Sequence, residues 1–189
     1  NVFIDGTKGI QYLNETMELC KQGFEEAMNL GPLAQEKVMG LKGKLVDAKL
    51  HEDSIHRGPA QVIPAFRSAV YGAMCLGQRI LMEPMTKIYI NCPESVMGDA
   101  LRELQQRRGL IEDIHQEGEA TIIAAKAPVA EMFGFASAIR GATQGRALWS
   151  TENSGFVPVP MEIQTKVVAE IRTRKGLKPE PYDAAYYSG

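Results

Sequence analysis

LIEDIHQEGEATIIAAKA, residues 110–127, reads as two strands folded back on each other. Leu110–Glu117 and Ala120–Ala127 flank Gly118-Glu119, a connection short enough to join antiparallel neighbours. Upstream, Thr86–Cys92 (TKIYINC) alternates polar and apolar residues, as a half-buried strand does. Between these strands Val96, Ala100 and Leu104 recur at helical spacing, from Pro93-Glu94-Ser95 to Arg108. Ser95 is the expected N-cap. Gln106-Arg107-Arg108-Gly109 closes the helix with cations in its last turn and a glycine expected to take the left-handed cap. Downstream, Pro128 opens a second helix over Val129–Gly141, and Arg146–Glu152 (RALWSTE) forms the last strand.

The resulting order, β-α-β-β-α-β, is that of a ferredoxin-like unit. Glycines 134, 141 and 145 along its second helix predict close packing of helix on sheet. Beyond it, Ser154–Pro160 (SGFVPVP) reads as a proline-rich linker, Met161–Arg174 as a helix, and Tyr182–Gly189 as a tail without a core signal.

The first half has a different rhythm. Asn1–Asp5 is a short apolar strand leading through Gly6-Thr7 into a helix. Ile10, Leu13, Met17, Cys20, Phe24 and Ala27 give that helix one apolar face, and Gly31-Pro32 ends it. Val38–Leu50 looks extended. Ile63, Phe66, Val70, Met74 and Gly77 mark a second helix, Pro64–Gly77, and Arg79–Glu83 returns as a strand stopped by Pro84. The chain is therefore expected to be α+β, with two small α/β sandwich domains at residues 1–84 and 85–153, then a linker, C-terminal helix and tail over 154–189.

The chain has 189 residues, 44% of them hydrophobic and 23% charged, in the normal range for a globular protein. Its net charge of −2 lacks the basic excess of a free-standing nucleic-acid binder. Cys20, Cys75 and Cys92 are too scattered for a disulfide framework and read as buried thiols of a reducing compartment. No apolar run reaches the length of a bilayer span, and NVFIDGTKG is not a signal peptide. A Gly-x4-Gly-Lys-Ser/Thr phosphate loop is absent, so this stretch is not expected to bind GTP.

Chemistry concentrates in Lys49–Arg67, KLHEDSIHRGPAQVIPAFR. His51, Glu52, Asp53, His56, Arg57 and Gly58 crowd one strand-to-helix loop. Histidines and carboxylates suit a zinc site, yet no helical His-x3-His frame or nearby cysteine supports one. A His–Asp acid/base pair is chemically sound but has no evident nucleophile. A polar loop with incidental histidines is the third reading, and spacing does not separate the three.

Leu50–Gly58 with Gln61–Pro64 matches a specific pattern, Leu-His-x-Asp-x-Ile-His-Arg-Gly followed by Gln-x-Ile-Pro. It resembles the tip loop of domain four in archaeal and eukaryotic elongation factor 2, and Gly58-Pro59-Ala60 resembles the archaeal spelling. Asn1–Asp5 with Thr7-Lys8-Gly9 resembles the start of the same domain. QQRRG (Gln105–Gly109), EMFGFASAIRGATQGRA (Glu131–Ala147) and GLKPEP (Gly176–Pro181) resemble domain five and the archaeal tail. The resemblance covers nearly the whole chain.

It implies a first domain resembling ribosomal protein S5 domain 2, with an unusual crossover and a start upstream of Asn1, and a second, ferredoxin-like domain. It further implies a C-terminal fragment of a cytoplasmic GTPase that drives translocation of tRNA and mRNA on the ribosome. GTP and Mg2+ would be held upstream, so no cofactor, metal or catalytic residue is expected within this stretch. His56 corresponds to the histidine converted to diphthamide, which makes the diphthamide-synthesis enzymes partners alongside the ribosome. Lys49, His51, Asp53, Ile55, His56, Arg57, Gly58 and Arg67 are the expected ribosome- or tRNA-contacting positions. Lys49, Arg57 and Arg67 would supply charge, Gly58 close backbone approach, and Glu52 and Asp53 the shape of the loop. Arg140, Thr143 and Gln144 are weaker candidates for contact with ribosomal RNA. A departure from the family pattern stands at Arg67-Ser68, where two successive arginines are common. The fragment is expected to be a monomer that does not touch membranes. The rivals are a ribosome-associated RNA-binding protein without GTPase activity, and a stand-alone enzyme using the histidines in a closed pocket.

Overall fold

Phe3 stands at the centre of the first unit, its ring 5.4 Å from Phe24 and 5.7 Å from Phe66 in the computed structural model, which describes residues 1–188. It lies on β1 (Val2–Asp5), and α1 (Leu13–Asn29) carries the chain over to β2 (Lys42–Leu45), which pairs parallel with β1. Leu13, Cys20, Phe24 and Ala27 are buried along α1, the apolar face that the spacing predicts. The extended run expected over Val38–Leu50 narrows to the four residues of β2, because only these find a partner strand.

α2 (Pro59–Leu76) begins five residues earlier than the apolar spacing predicts. Pro59 takes the first helical position, where a missing N–H is harmless, and Pro64 lies inside the helix at the loss of one backbone bond. Packing offsets that loss: Phe66, Val70, Tyr71 and Met74 gather on Phe24, Ala27 and Met28 of α1. The helices meet tightly at Gly23, where a Cβ would lie 2.9 Å from the Ile63 carbonyl oxygen. An open apolar cleft of about 360 Å³ runs between β2 and α2, lined by Phe24, Leu41 and Val70.

The second unit is Met82–Val159. β3 (Met82–Pro93), α3 (Glu94–Gln105), β4 (Leu110–Glu117), β5 (Ala120–Pro128), α4 (Phe135–Ala142) and β6 (Leu148–Pro158) form the ferredoxin-like order. The sheet runs β4-β5-β3-β6, every pair antiparallel. Ile88, Ile90 and Cys92 of β3, Ile123 and Ala125 of β5, Val96, Ala100 and Leu104 of α3, and Phe135 and Ile139 of α4 make its core.

Several expectations need correction here. Arg79–Glu83 is not a strand of the first unit, and Pro84 stops nothing. Met82–Pro93 is one strand, and at Pro84 it has a neighbour on one side only, where a missing N–H is tolerated. The supposed linker Ser154–Pro160 is mostly β6, which bulges opposite Pro84–Thr86 with Gly155 at φ 74°. The divisions thus fall at 81/82 and 159/160, not at 84/85 and 153/154. Glycines 134, 141 and 145 do not pack closely, since a Cβ at each would meet open space; Gly134, at φ 78°, breaks the expected helix into a 3-10 turn (Val129–Met132) and α4. Pro93, not Ser95, precedes α3, and the Ser95 hydroxyl faces Arg146 instead. Arg108, not Gly109, takes the left-handed cap at φ 58°, while a Cβ on Gly109 would strike the Leu104 carbonyl oxygen at 2.6 Å. Glu83 accepts two bonds from the Arg108 guanidinium, at 3.0 and 2.5 Å, and holds it there.

α5 (Met161–Arg174) occupies its predicted span and belongs to the first unit. Its buried Arg172 donates to the carbonyls of Leu33 and Lys178. The tail is also better ordered than its composition implies. Asp183 caps α6 (Ala184–Tyr187), and Tyr187 packs edge-on against Tyr71 of α2. Gly189 lies outside the described residues.

Candidate functional site

The loop between β2 and α2 shapes itself around Asp53. The Asp53 N–H donates to Nδ1 of His51 at 3.0 Å, which leaves the neutral ring's proton on Nε2. The Asp53 carboxylate accepts from the Ile55 N–H at 3.0 Å and caps a short 3-10 turn, Ser54–Arg57. The His56 N–H donates to the Asp53 carbonyl at 3.2 Å. Asp53 therefore acts as a former of the loop, and its carboxylate is given to backbone rather than to an imidazole.

His51 and His56 meet edge to face, ring centroids 4.5 Å apart at 67°, and both are exposed. Ile55 beside them is 73% exposed. An apolar side chain and two imidazoles facing water at a loop apex are surface without a partner in the fold. They are not the closed pocket that a free-standing acid/base enzyme needs. Nor does the loop gather a metal site: no cluster of three or more histidine, cysteine or acidic side chains suited to a metal exists among the described residues.

Arg57 turns the other way. Arg57 has only 8% of its side chain exposed. Nη1 donates to the carbonyls of His51 and Glu52 at 2.8 and 2.5 Å, and Nη2 pairs with Glu15 of α1 at 2.9 Å. Its guanidinium carbon lies 4.0 Å from the centroid of the Tyr12 ring, a cation–π distance. Arg67 pairs with Glu26 at 2.7 Å. The Arg57 guanidinium is thus engaged within the fold, whereas Arg67 keeps 40% of its side chain exposed. Lys49 is exposed and has no ion pair among the described residues. Gly58, at φ −77°, has ordinary backbone, and its carbonyl accepts the first helical N–H groups, from Gln61 and Val62.

Tyr12 and Glu15 have no local sequence signal that ties them to this loop, since Glu15 lies 42 positions from Arg57. Tyr12 does carry a structural mark. It sits at φ 65° just before α1, a left-handed backbone that costs a non-glycine residue about 1–3 kcal/mol and persists only where surroundings enforce it.

Burial pushes the Cys20 and Cys92 thiols above the usual range, and all three cysteines are unpaired. Of the weaker candidates in the second unit, Thr143 is fully buried and donates to the Ile139 carbonyl, while Arg140 and Gln144 are exposed. No helix is long and apolar enough to cross a membrane among the described residues.

Comparison with known proteins gives concordant matches along the chain. A family model described as elongation factor G, domain IV, matches residues 1–78, and one described as elongation factor G C-terminus matches residues 80–176. Elongation factor 2 of Thermoplasma volcanium is 63% identical over 188 residues, covering 100% of this chain and 26% of that protein. Elongation factor 2 of Methanosphaera stadtmanae is 58% identical over 189 residues, again covering 26% of its length. The chain thus spans about a quarter of these curated relatives. A crystal structure from Thermus thermophilus superposes with a TM-score of 0.73 at 29% identity, covering 91% of this chain and 26% of that one.

Proposed function

The chain belongs to the elongation factor 2 and elongation factor G family, and from that premise we propose that it is the ribosome-facing end of a factor that moves tRNA and mRNA. Nucleotide hydrolysis then belongs to a part of the protein upstream of these two units, and the loop around His56 is the working tip. It enters the space vacated by the moving tRNA, while the ferredoxin-like unit braces against the ribosome near the GTPase-associated region. No cofactor acts within this stretch.

The observation that carries the reading is the division of labour in the loop. His51, Ile55 and His56 face water, whereas Arg57 is spent on holding them there. An outer surface with imidazole faces and one apolar side chain suits stacking on unpaired bases better than it suits phosphate neutralisation. It also gives a chemical reason for a modified His56. With Arg57 turned inward, a cationic arm on this ring restores the positive reach that the loop's own arginine does not offer.

The test uses the full-length factor on reconstituted ribosomes, with His56→Ala and His51→Ala variants. The expected result is slower translocation and more loss of reading frame, with ribosome-stimulated GTP hydrolysis unchanged. Normal translocation and frame maintenance in the double variant would overturn the tip assignment.

A further inference from the structure

We infer that Tyr12 and Glu15, on the approach to α1, are positioning residues for His56, acting through Arg57. The inference rests on the reading of His56 as the modified, ribosome-facing histidine. The chain of contacts is direct. Glu15 holds one end of the guanidinium at 2.9 Å and the Tyr12 ring supports its face at 4.0 Å. The other end clamps the carbonyls of His51 and Glu52, which open the loop. Asp53 follows and hydrogen-bonds the His51 ring, on whose edge the His56 ring rests.

Three features separate this arrangement from an ordinary surface ion pair, which contributes little. The Arg57 side chain is nearly buried although every residue from His51 to His56 is exposed. Its Nε has no hydrogen-bond partner, so the group is placed for what its two terminal nitrogens reach. The Tyr12 backbone is left-handed, and a strained residue that serves as a platform is one whose position has been enforced. A loop whose residues from His51 to His56 are all exposed is thereby pre-organised from outside, so that the enzymes that modify His56 and the ribosome both meet one ring orientation.

The experiment produces the full-length factor in a host that carries out the modification, as wild type, Tyr12→Ala, Tyr12→Phe, Glu15→Ala and Glu15→Gln. Two quantities are read: the fraction of His56 modified, by mass spectrometry, and amide hydrogen exchange across residues 52–57. Tyr12→Ala and Glu15→Ala are expected to lower the modified fraction at least severalfold and to speed exchange in the loop about tenfold, with the melting temperature of the factor nearly unchanged. Tyr12→Phe keeps the ring and is expected to behave as wild type, and Glu15→Gln to fall between. Wild-type modification and exchange in both alanine variants would overturn the positioning role. A fall in modification matched by general loss of the fold would overturn it too, in favour of simple instability. If His56 is unmodified in the wild type itself, the functional reading fails. The exchange rates of the variants then still decide whether Tyr12 and Glu15 order the loop.

Discussion

The loop around His56 and the sheet of the second unit are held by opposite means. In the sheet and the helix packed on it, Ile88, Ile90, Ile123 and Leu104 are fully buried, and position follows from packing against many neighbours. In the loop no residue from His51 to His56 is buried, and position follows from one guanidinium, one carboxylate cap and one ring contact. The difference teaches where mutation is felt. A packed sheet spreads each side chain over many contacts and fails globally when one is removed. A loop pinned by Arg57 keeps the fold when its pin is drawn and loses chiefly its shape.

That contrast can be broken by experiment. The largest effect is expected from Leu104→Ala, which removes a fully buried side chain and should cost about 2–5 kcal/mol by denaturant unfolding, without changing the loop. A loss under about 1 kcal/mol would mean that the core relaxes into the space. Arg57→Ala should cost about 1.5 kcal/mol of global stability, while hydrogen exchange at residues 52–57 rises sharply. Equal loss across the whole first unit would show that the loop is not separable from its scaffold.

Smaller still is the alkaline response of the buried thiols. Burial raises the Cys20 and Cys92 thiols above their ordinary range, so the unfolded chain gives up these protons first. Their contribution is complete below the ordinary thiol range, about pH 8.5, and falls as pH rises toward the folded-state values. Unfolding midpoints between pH 8 and 10 should therefore drop, and drop less in Cys92→Ala; an identical slope in that variant would contradict the assignment. The smallest effect is expected from His56→Ala, under about 0.5 kcal/mol, since the ring is exposed. A large fall in melting temperature would mean that the His51–His56 contact carries the loop.

The same contrast explains what could be read from sequence. Periodicity found α1, α5 and the βαββαβ order, because burial repeats at fixed spacing in helices and strands. It misplaced Pro84 and Ser154–Pro160, where proline and glycine normally signal a break and here sit at a bulge on a long strand. It also misjudged glycines 134, 141 and 145, which face open space. The loop's chemistry was legible as a motif, and Asp53 as its shaper. The inward turn of Arg57 and the pairing of Arg67 were not, because a guanidinium's partner is set by tertiary approach: Glu15 and Glu26 lie 42 and 41 positions away. Residue type announces a cation but not the direction it faces.

The most direct test of the central claim is tandem mass spectrometry of the protein from its native host. Trypsin releases Leu50–Arg57, LHEDSIHR, as one peptide whose fragments distinguish His51 from His56. The account predicts a mass increment on His56 and none on His51. An unmodified His56 in native protein, or an increment on His51 instead, would contradict it.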